Sequence, residues 1–185
     1  MTAFSTTSSL PDGLVRMFEK SRVALTVADA LQPDCPLIGM NRAFADLSGY
    51  TAEEVLDRNC RFMQPPGGAG PVRARIRHFL ASPDQGSDRF VLPNQRKDGS
   101  DFLNLVFMTK LAGAGGQQLV LGSQFAIVPG RDAAERVYTL ALESDLRHMK
   151  EVLGDQNWMM LGTLEALASS HAIIAKARMD EGWGP

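Results

Sequence analysis

The spacing of apolar and polar positions changes several times along this chain, and each change marks an element. Behind a loose tail at residues 1–10, Pro11-Asp12-Gly13 introduces a short amphipathic stretch whose apolar members are Leu14, Val15, Met17 and Phe18. Arg22 to Ala28 is β-branched and apolar enough for a strand, and Asp29 to Pro36 holds two prolines and two aspartates, the composition of a turn. Leu37 to Met40 is a second short apolar run. Asn41 is placed to cap a helix over Arg42 to Leu47 that Gly49 stops. Thr51-Ala-Glu-Glu54 has the capping-box spacing, and Asn59 to Gln64 is long enough for one further helical turn. Pro65 to Pro71 is too rich in proline and glycine for regular structure, whereas Val72, Ile76, Phe79 and Leu80 repeat at helical intervals up to Ala81.

Strand patterns return after that. Arg89 to Leu92 leads through Pro93 to Asn94-Gln-Arg-Lys97, and Asp98-Gly99 is a strong hairpin signal. Asp101 to Leu111 rises from it, Ala112 to Gly116 turns the chain, and Gln117 to Val128 gives the last strand before Pro129-Gly130. Two strands, several short helices and three more strands predict an α+β fold, with a five-stranded antiparallel sheet and short helices gathered on one face. From Tyr138 the residues Leu142, Leu146, Met149 and Leu153 return to helical spacing, and a second helix is expected from about Asn157 to Arg178. The domain plan is a tail and helical cap at 1–21, a core at 22–129 and a helical hairpin extension at 130–185.

Composition narrows the class without choosing a function. At 185 residues, 44% hydrophobic and 22% charged, the chain can bury a sizeable core. A net charge of -2 gives no electrostatic reason to expect nucleic acid or an anionic membrane as partner. Cys35 and Cys60 make no disulfide framework and lack metal-site spacing, which favours a reducing compartment. The first residues lack a signal-peptide pattern, and no apolar run approaches the ~20 residues of a membrane span, so a cytoplasmic protein is expected.

The segment Asn59-Cys60-Arg61-Phe62-Met63-Gln64 carries more specific information. It resembles the NCRFLQ signature of light-oxygen-voltage domains, a flavin-binding branch of the PAS superfamily, with methionine in place of leucine. Asn41-Arg-Ala-Phe-Ala-Asp-Leu-Ser-Gly-Tyr50 resembles that family's helix and glycine stop, Asn94-Gln-Arg-Lys-Asp-Gly99 its hairpin, Phe102-Leu-Asn104 its following strand and Gly122-Ser-Gln124 its last one. The resemblance runs over residues 23 to 128. Departures are Met63, Leu103 for tryptophan, the Pro65-Pro66-Gly67-Gly68 loop, a longer spacing from Arg77 to Asn94 and a shorter final hairpin.

The resemblance implies a PAS-like fold and a blue-light photoreceptor binding flavin mononucleotide (FMN). Cys60 would bond reversibly to the flavin C4a position, and Gln124 would sense N5 and relay the signal. Arg61 and Arg77 would clamp the phosphate, as guanidinium forks suit phosphate oxygens. Gln64, Asn94 and Asn104 would pair the ribityl chain and the polar ring edge, since carboxamides offer donors and acceptors. Asn59, Thr26 and Phe62 are further pocket candidates. Cys35, Arg73, Arg75, His78, His148 and His171 are assigned no chemistry.

No catalytic domain fits in the 55 residues after Gly130, and that segment's six Lys/Arg against nine Asp/Glu argue against a nucleic-acid surface. A non-enzymatic sensor is expected, with the apolar positions of the extension packing on the sheet or on a second protomer to give a light-sensitive homodimer, and with an unknown downstream protein. The alternative is a PAS-type flavin redox or ligand sensor that works without the Cys60 bond.

Overall fold

The computed structural model of the chain describes residues 1–5, 10, 12–83, 86–113, 116–127 and the backbone of 158–161. In order, the elements are β1 (Ala3–Phe4), α1 (Asp12–Lys20), β2 (Ala24–Asp29), β3 (Leu37–Met40), α2 (Arg42–Ser48), α3 (Ala52–Val55), a 3-10 turn (Cys60–Met63) and α4 (Val72–Ala81). Then follow β4 (Ser87–Gln95), β5 (Asp101–Gly113), β6 (Gln118–Ile127) and β7 (Trp158–Leu161). The strands form one antiparallel sheet in the order β1-β3-β2-β6-β5-β4, with β7 added to β5. The α+β expectation holds, and the five predicted strands are β2 to β6. Pro93 lies inside β4 opposite Leu103, which the sheet tolerates because β4 is an edge strand. Among the described residues, no helix is long and apolar enough to cross a membrane.

Two features depart from the sequence reading, and a third refines it. Residues 1–10 are not wholly a tail, since Ala3 and Phe4 pair with Met40 and Gly39. The short helices α2 to α4 share one face as expected, and the N-terminal helix α1 takes the other. Leu14, Met17 and Phe18 of α1 pack with Leu25, Val27, Leu105, Phe107, Leu121 and Phe125 on one side of the sheet. Phe44 of α2, Val55 of α3, Met63 and Phe79 of α4 pack with Met40, Phe90, Leu92, Val106, Met108 and Val120 on the other. Two packed faces explain why Asn104–Thr109 and Leu119–Phe125 are buried without alternation. Finally, Trp158–Leu161, expected at the start of a second helix, is a strand paired with Lys110–Gly113. The rest of the expected hairpin, Tyr138–Leu153 included, lies outside the described residues.

Asn41 ties the helical layer to the sheet. Its Oδ1 accepts from Phe44 N (3.0 Å) as the α2 N-cap and from Leu25 N (2.9 Å), while its Nδ2 donates to Val23 O (2.8 Å). Gly49, at φ 79°, then ends α2 in the left-handed region where glycine is favoured. The β4–β5 hairpin tip docks on the same helices: Arg96 Nε donates to Leu47 O (2.9 Å), and Lys97 Nζ pairs with Glu54 (2.7 Å). At the far end of α4, Lys110 Nζ donates to Phe79 O (2.6 Å) and Ser82 O, placing a cation at the carbonyl end of the helix.

Asn41 is wholly buried, so Asn41→Ala removes the α2 cap, leaves Leu25 N of β2 without its side-chain acceptor and takes one of two donors from Val23 O. The expected loss is about 3 kcal/mol in urea unfolding, with an unchanged denaturant slope. Arg42→Ala, which breaks only an exposed i,i+4 pair, should cost less than about 0.5 kcal/mol.

Candidate functional site

The Cys60–Met63 turn is held at both ends by its own sequence. Asn59 Oδ1 accepts from Arg61 N (3.0 Å), capping the turn, while Asn59 Nδ2 donates to Asp34 O and Cys35 O in the β2–β3 connection. Met63 anchors the other end in the core at 3% exposure. Nearby, Leu37 N donates to Arg58 O and Asp57 N to Leu37 O, so the residues before Asn59 are fastened to β3. Cys60 is therefore presented from a short rigid segment. Its thiol titrates above the ordinary 9.0, mainly because burial penalises the thiolate, with the Arg61 guanidinium pulling the other way. At neutral pH it is a neutral S–H.

Behind the turn, four strands contribute one hydrogen-bonded chain of side chains. Gln124 Nε2 on β6 donates to Thr26 Oγ1 on β2 (3.2 Å), and Asn104 Nδ2 on β5 donates to Gln124 Oε1 (2.8 Å) and to Asn94 Oδ1 on β4 (2.8 Å). Asn94 Nδ2 donates onward to Met63 O (3.3 Å), the last residue of the Cys60 turn. All four polar side chains are at most 4% exposed. Register explains the assembly: Thr26 faces Gly122, Val106 faces Gln124 and Leu92 faces Asn104, so these side chains share the helix-covered face. A Cβ on Gly122 would lie 2.8 Å from Thr26 Oγ1, so only a glycine at that position leaves the hydroxyl its place. Among the described residues, one buried side-chain polar atom, Asn104 Oδ1, has no partner.

In front of the turn lies an open cavity of about 950 Å³. Asn59, Arg61, Phe62 and Gln64 line it, along with Asp34 and Arg73. Tyr50 packs edge-on against Phe62 at 4.9 Å, and the Arg58 guanidinium sits 4.8 Å from the same ring, which fixes the wall. The structure thus joins Thr26, Asn94, Asn104 and Gln124 behind the Cys60 turn, and gathers Asn59, Arg61, Phe62 and Gln64 in front of it. Cys60, Thr26, Asn94, Asn104, Gln124 and Arg77 are not among the lining residues, and Arg77 is exposed on α4, one turn beyond Arg73. Sequence reasoning passed over Arg73, although its four-residue spacing from Arg77 puts both on one side of a helix. It also missed Asp34, which nothing local marks.

The arrangement offers one protonated thiol, a ladder of buried carboxamides and a cationic mouth. No group of side chains able to hold a metal occurs among the described residues. Residues 25–126 match the PAS domain family. The chain is 38% identical over 172 residues to a blue-light-activated histidine kinase of Rhizobium johnstonii, an alignment covering 87% of this chain and 49% of that protein. The crystal structure of a Rhodobacter sphaeroides LOV protein superposes with a TM-score of 0.67 at 28% identity, covering 90% of each chain. An RNA-binding light-oxygen-voltage receptor gives 0.58 at 31% identity over 82% of this chain and 42% of that one.

The chain belongs to the PAS domain family, in its light-oxygen-voltage branch. It spans at most about half the length of the blue-light-activated kinases it resembles.

The second cysteine gives a titration with a definite sign. Burial, reinforced by nearby Cys60, pushes the Cys35 thiol from 9.0 to about 12. A raised folded-state value means that its contribution to stability is complete below pH 9.0 and is lost between 9.0 and about 12. Cys35→Ser should therefore flatten the fall in stability over that window, read from urea unfolding at stepped pH. In the folded protein at pH 7.5, iodoacetamide should label Cys60 more slowly than after unfolding.

Proposed function

We propose that this chain is a blue-light photoreceptor that binds FMN and forms a reversible bond between Cys60 Sγ and the flavin C4a. The observation that carries this reading is the amide chain from Thr26 through Gln124, Asn104 and Asn94 to the carbonyl of the Cys60 turn. When bound, FMN would supply light absorption and an electrophilic ring carbon.

The residues suit that ligand. A flavin pyrimidine edge alternates donors and acceptors, and the unpartnered Asn104 Oδ1 is an acceptor awaiting a donor. Asn94, Asn104 and Gln64 are the carboxamides for the ring edge and ribityl chain. Arg61 at the cavity, with Arg73 and Arg77 on successive turns of α4, supplies guanidinium for the phosphate. Asn59 sets the turn, and Phe62 walls the cavity. Cys60, held neutral, brings sulfur and proton together.

Gln124 can carry the signal because its amide is committed at both ends. Rotating it would replace the donor now given to Thr26 with an acceptor, and the acceptor now given to Asn104 with a donor. Both neighbours belong to adjacent strands, so the side-chain bonds that link β2, β5 and β6 would have to change. The chain then acts by changing its assembly rather than by turnover, in the cytoplasm, as a homodimer formed through its C-terminal segment and directed at a downstream protein.

The dark protein should show a structured band near ~450 nm that bleaches after a blue flash and recovers in darkness, flavin being the chromophore the thiol chemistry requires. Cys60→Ala should keep the band and lose the bleaching. An unbleached wild type would favour a redox or ligand sensor, and a colourless protein after loading with FMN would overturn the flavin reading. Gln124→Leu should bleach normally yet lose the light-dependent change in mass by light scattering. Equal masses for lit and dark wild type would sink the assembly switch.

A further inference from the structure

The cavity mouth holds an anion of its own. Arg61 Nη2 lies 2.6 Å from Asp34 Oδ1 and 2.5 Å from Asp34 Oδ2, so the guanidinium faces a carboxylate rather than open solvent. Both side chains are about half exposed, at 45% and 56%, and both line the cavity. Asp34 is held there by backbone geometry: its φ of 71° lies in the left-handed region that aspartate and asparagine tolerate, and its carbonyl accepts from Asn59 Nδ2. Arg73, the cavity-lining arginine on α4, has no ion-pair partner among the described residues.

We propose that Asp34 sets how strongly this site prefers a phosphorylated flavin over an unphosphorylated one, by occupying Arg61 until a phosphate displaces it. The proposal rests on the flavin reading above and adds a specificity residue to it. A dianionic phosphate entering the mouth must take Arg61 from Asp34 and then lie beside a like charge. An unphosphorylated ribityl chain meets neither cost. Asp34 therefore taxes FMN alone and leaves the ring end of the pocket untouched. Because the pair is half exposed, its attraction is screened and the effect is moderate rather than prohibitive.

The test compares FMN and riboflavin binding to the full-length chain stripped of flavin, by fluorescence titration. Asp34→Asn is the informative variant, because asparagine tolerates the same backbone conformation and keeps the side-chain shape while removing the charge. FMN should bind roughly threefold to tenfold more tightly to Asp34→Asn, with riboflavin moving less than about twofold. In an Arg61→Gln background the same substitution no longer frees a guanidinium, so the gain for FMN should be smaller than with Arg61 present and reflect only the relief of like-charge repulsion. Unchanged or weaker FMN binding in Asp34→Asn, or an equal shift for both flavins, would show that Asp34 only shapes the loop, and would overturn the proposal alone. Wild-type protein that binds neither flavin would overturn the flavin reading itself, and this proposal with it.

Discussion

Burying carboxamides in an apolar layer is the constraint around which this molecule is arranged. Each amide removed from water costs about 1–3 kcal/mol unless its groups are paired, and Asn94, Asn104 and Gln124 all sit among Phe90, Leu92, Val106 and Met108. The solution is serial. Each amide is answered by the next, and the run is closed by a hydroxyl on β2 and by a main-chain carbonyl on the Cys60 turn. That closure requires four strands in fixed register, a glycine opposite Thr26 and a turn that brings Met63 O to the sheet. Among the described residues, one acceptor of the network, Asn104 Oδ1, is left over.

The loops answer a related demand, to present a thiol and several arginines without regular structure to hold them. Two asparagines do most of this. Asn41 binds β2 to α2 through one oxygen that accepts from both, and Asn59 binds the Cys60 turn to the β2–β3 connection by offering its oxygen to one and its nitrogen to the other. Asp34, Cys35 and Asp57 take positive φ around the same junction, so the chain makes sharp reversals there without glycine. Such backbone strain is tolerated because the surrounding hydrogen bonds over-determine it.

Locally determined features were readable from the sequence. The α2 boundaries follow from Asn41 and Gly49, the α3 start from the Thr51–Glu54 box, and the β4–β5 turn from Asp98-Gly99, since each signal lies within a few residues of the structure it makes. The carboxamides and Cys60 were readable through their likeness to a known pattern rather than through periodicity. What escaped was decided by distant partners. Gln124 meets Thr26 across 98 positions and Arg61 meets Asp34 across 27, so neither pairing has a local trace. β1 and β7 have only two and four residues, too few for an alternation to show. The side taken by α1 was likewise open, because an amphipathic stretch says that it covers something and not which face.

The long strand β5 has a further property. Along its outer margin β4 accompanies it as far as the Ser87–Thr109 step, and β7 takes over from Lys110 to Gly113. Two segments far apart in the sequence thus occupy one border end to end, as tenants of a shared boundary. Territory gained by either is lost to the other. The start of β4 therefore fixes where along β5 the pairing with Trp158–Leu161 can begin.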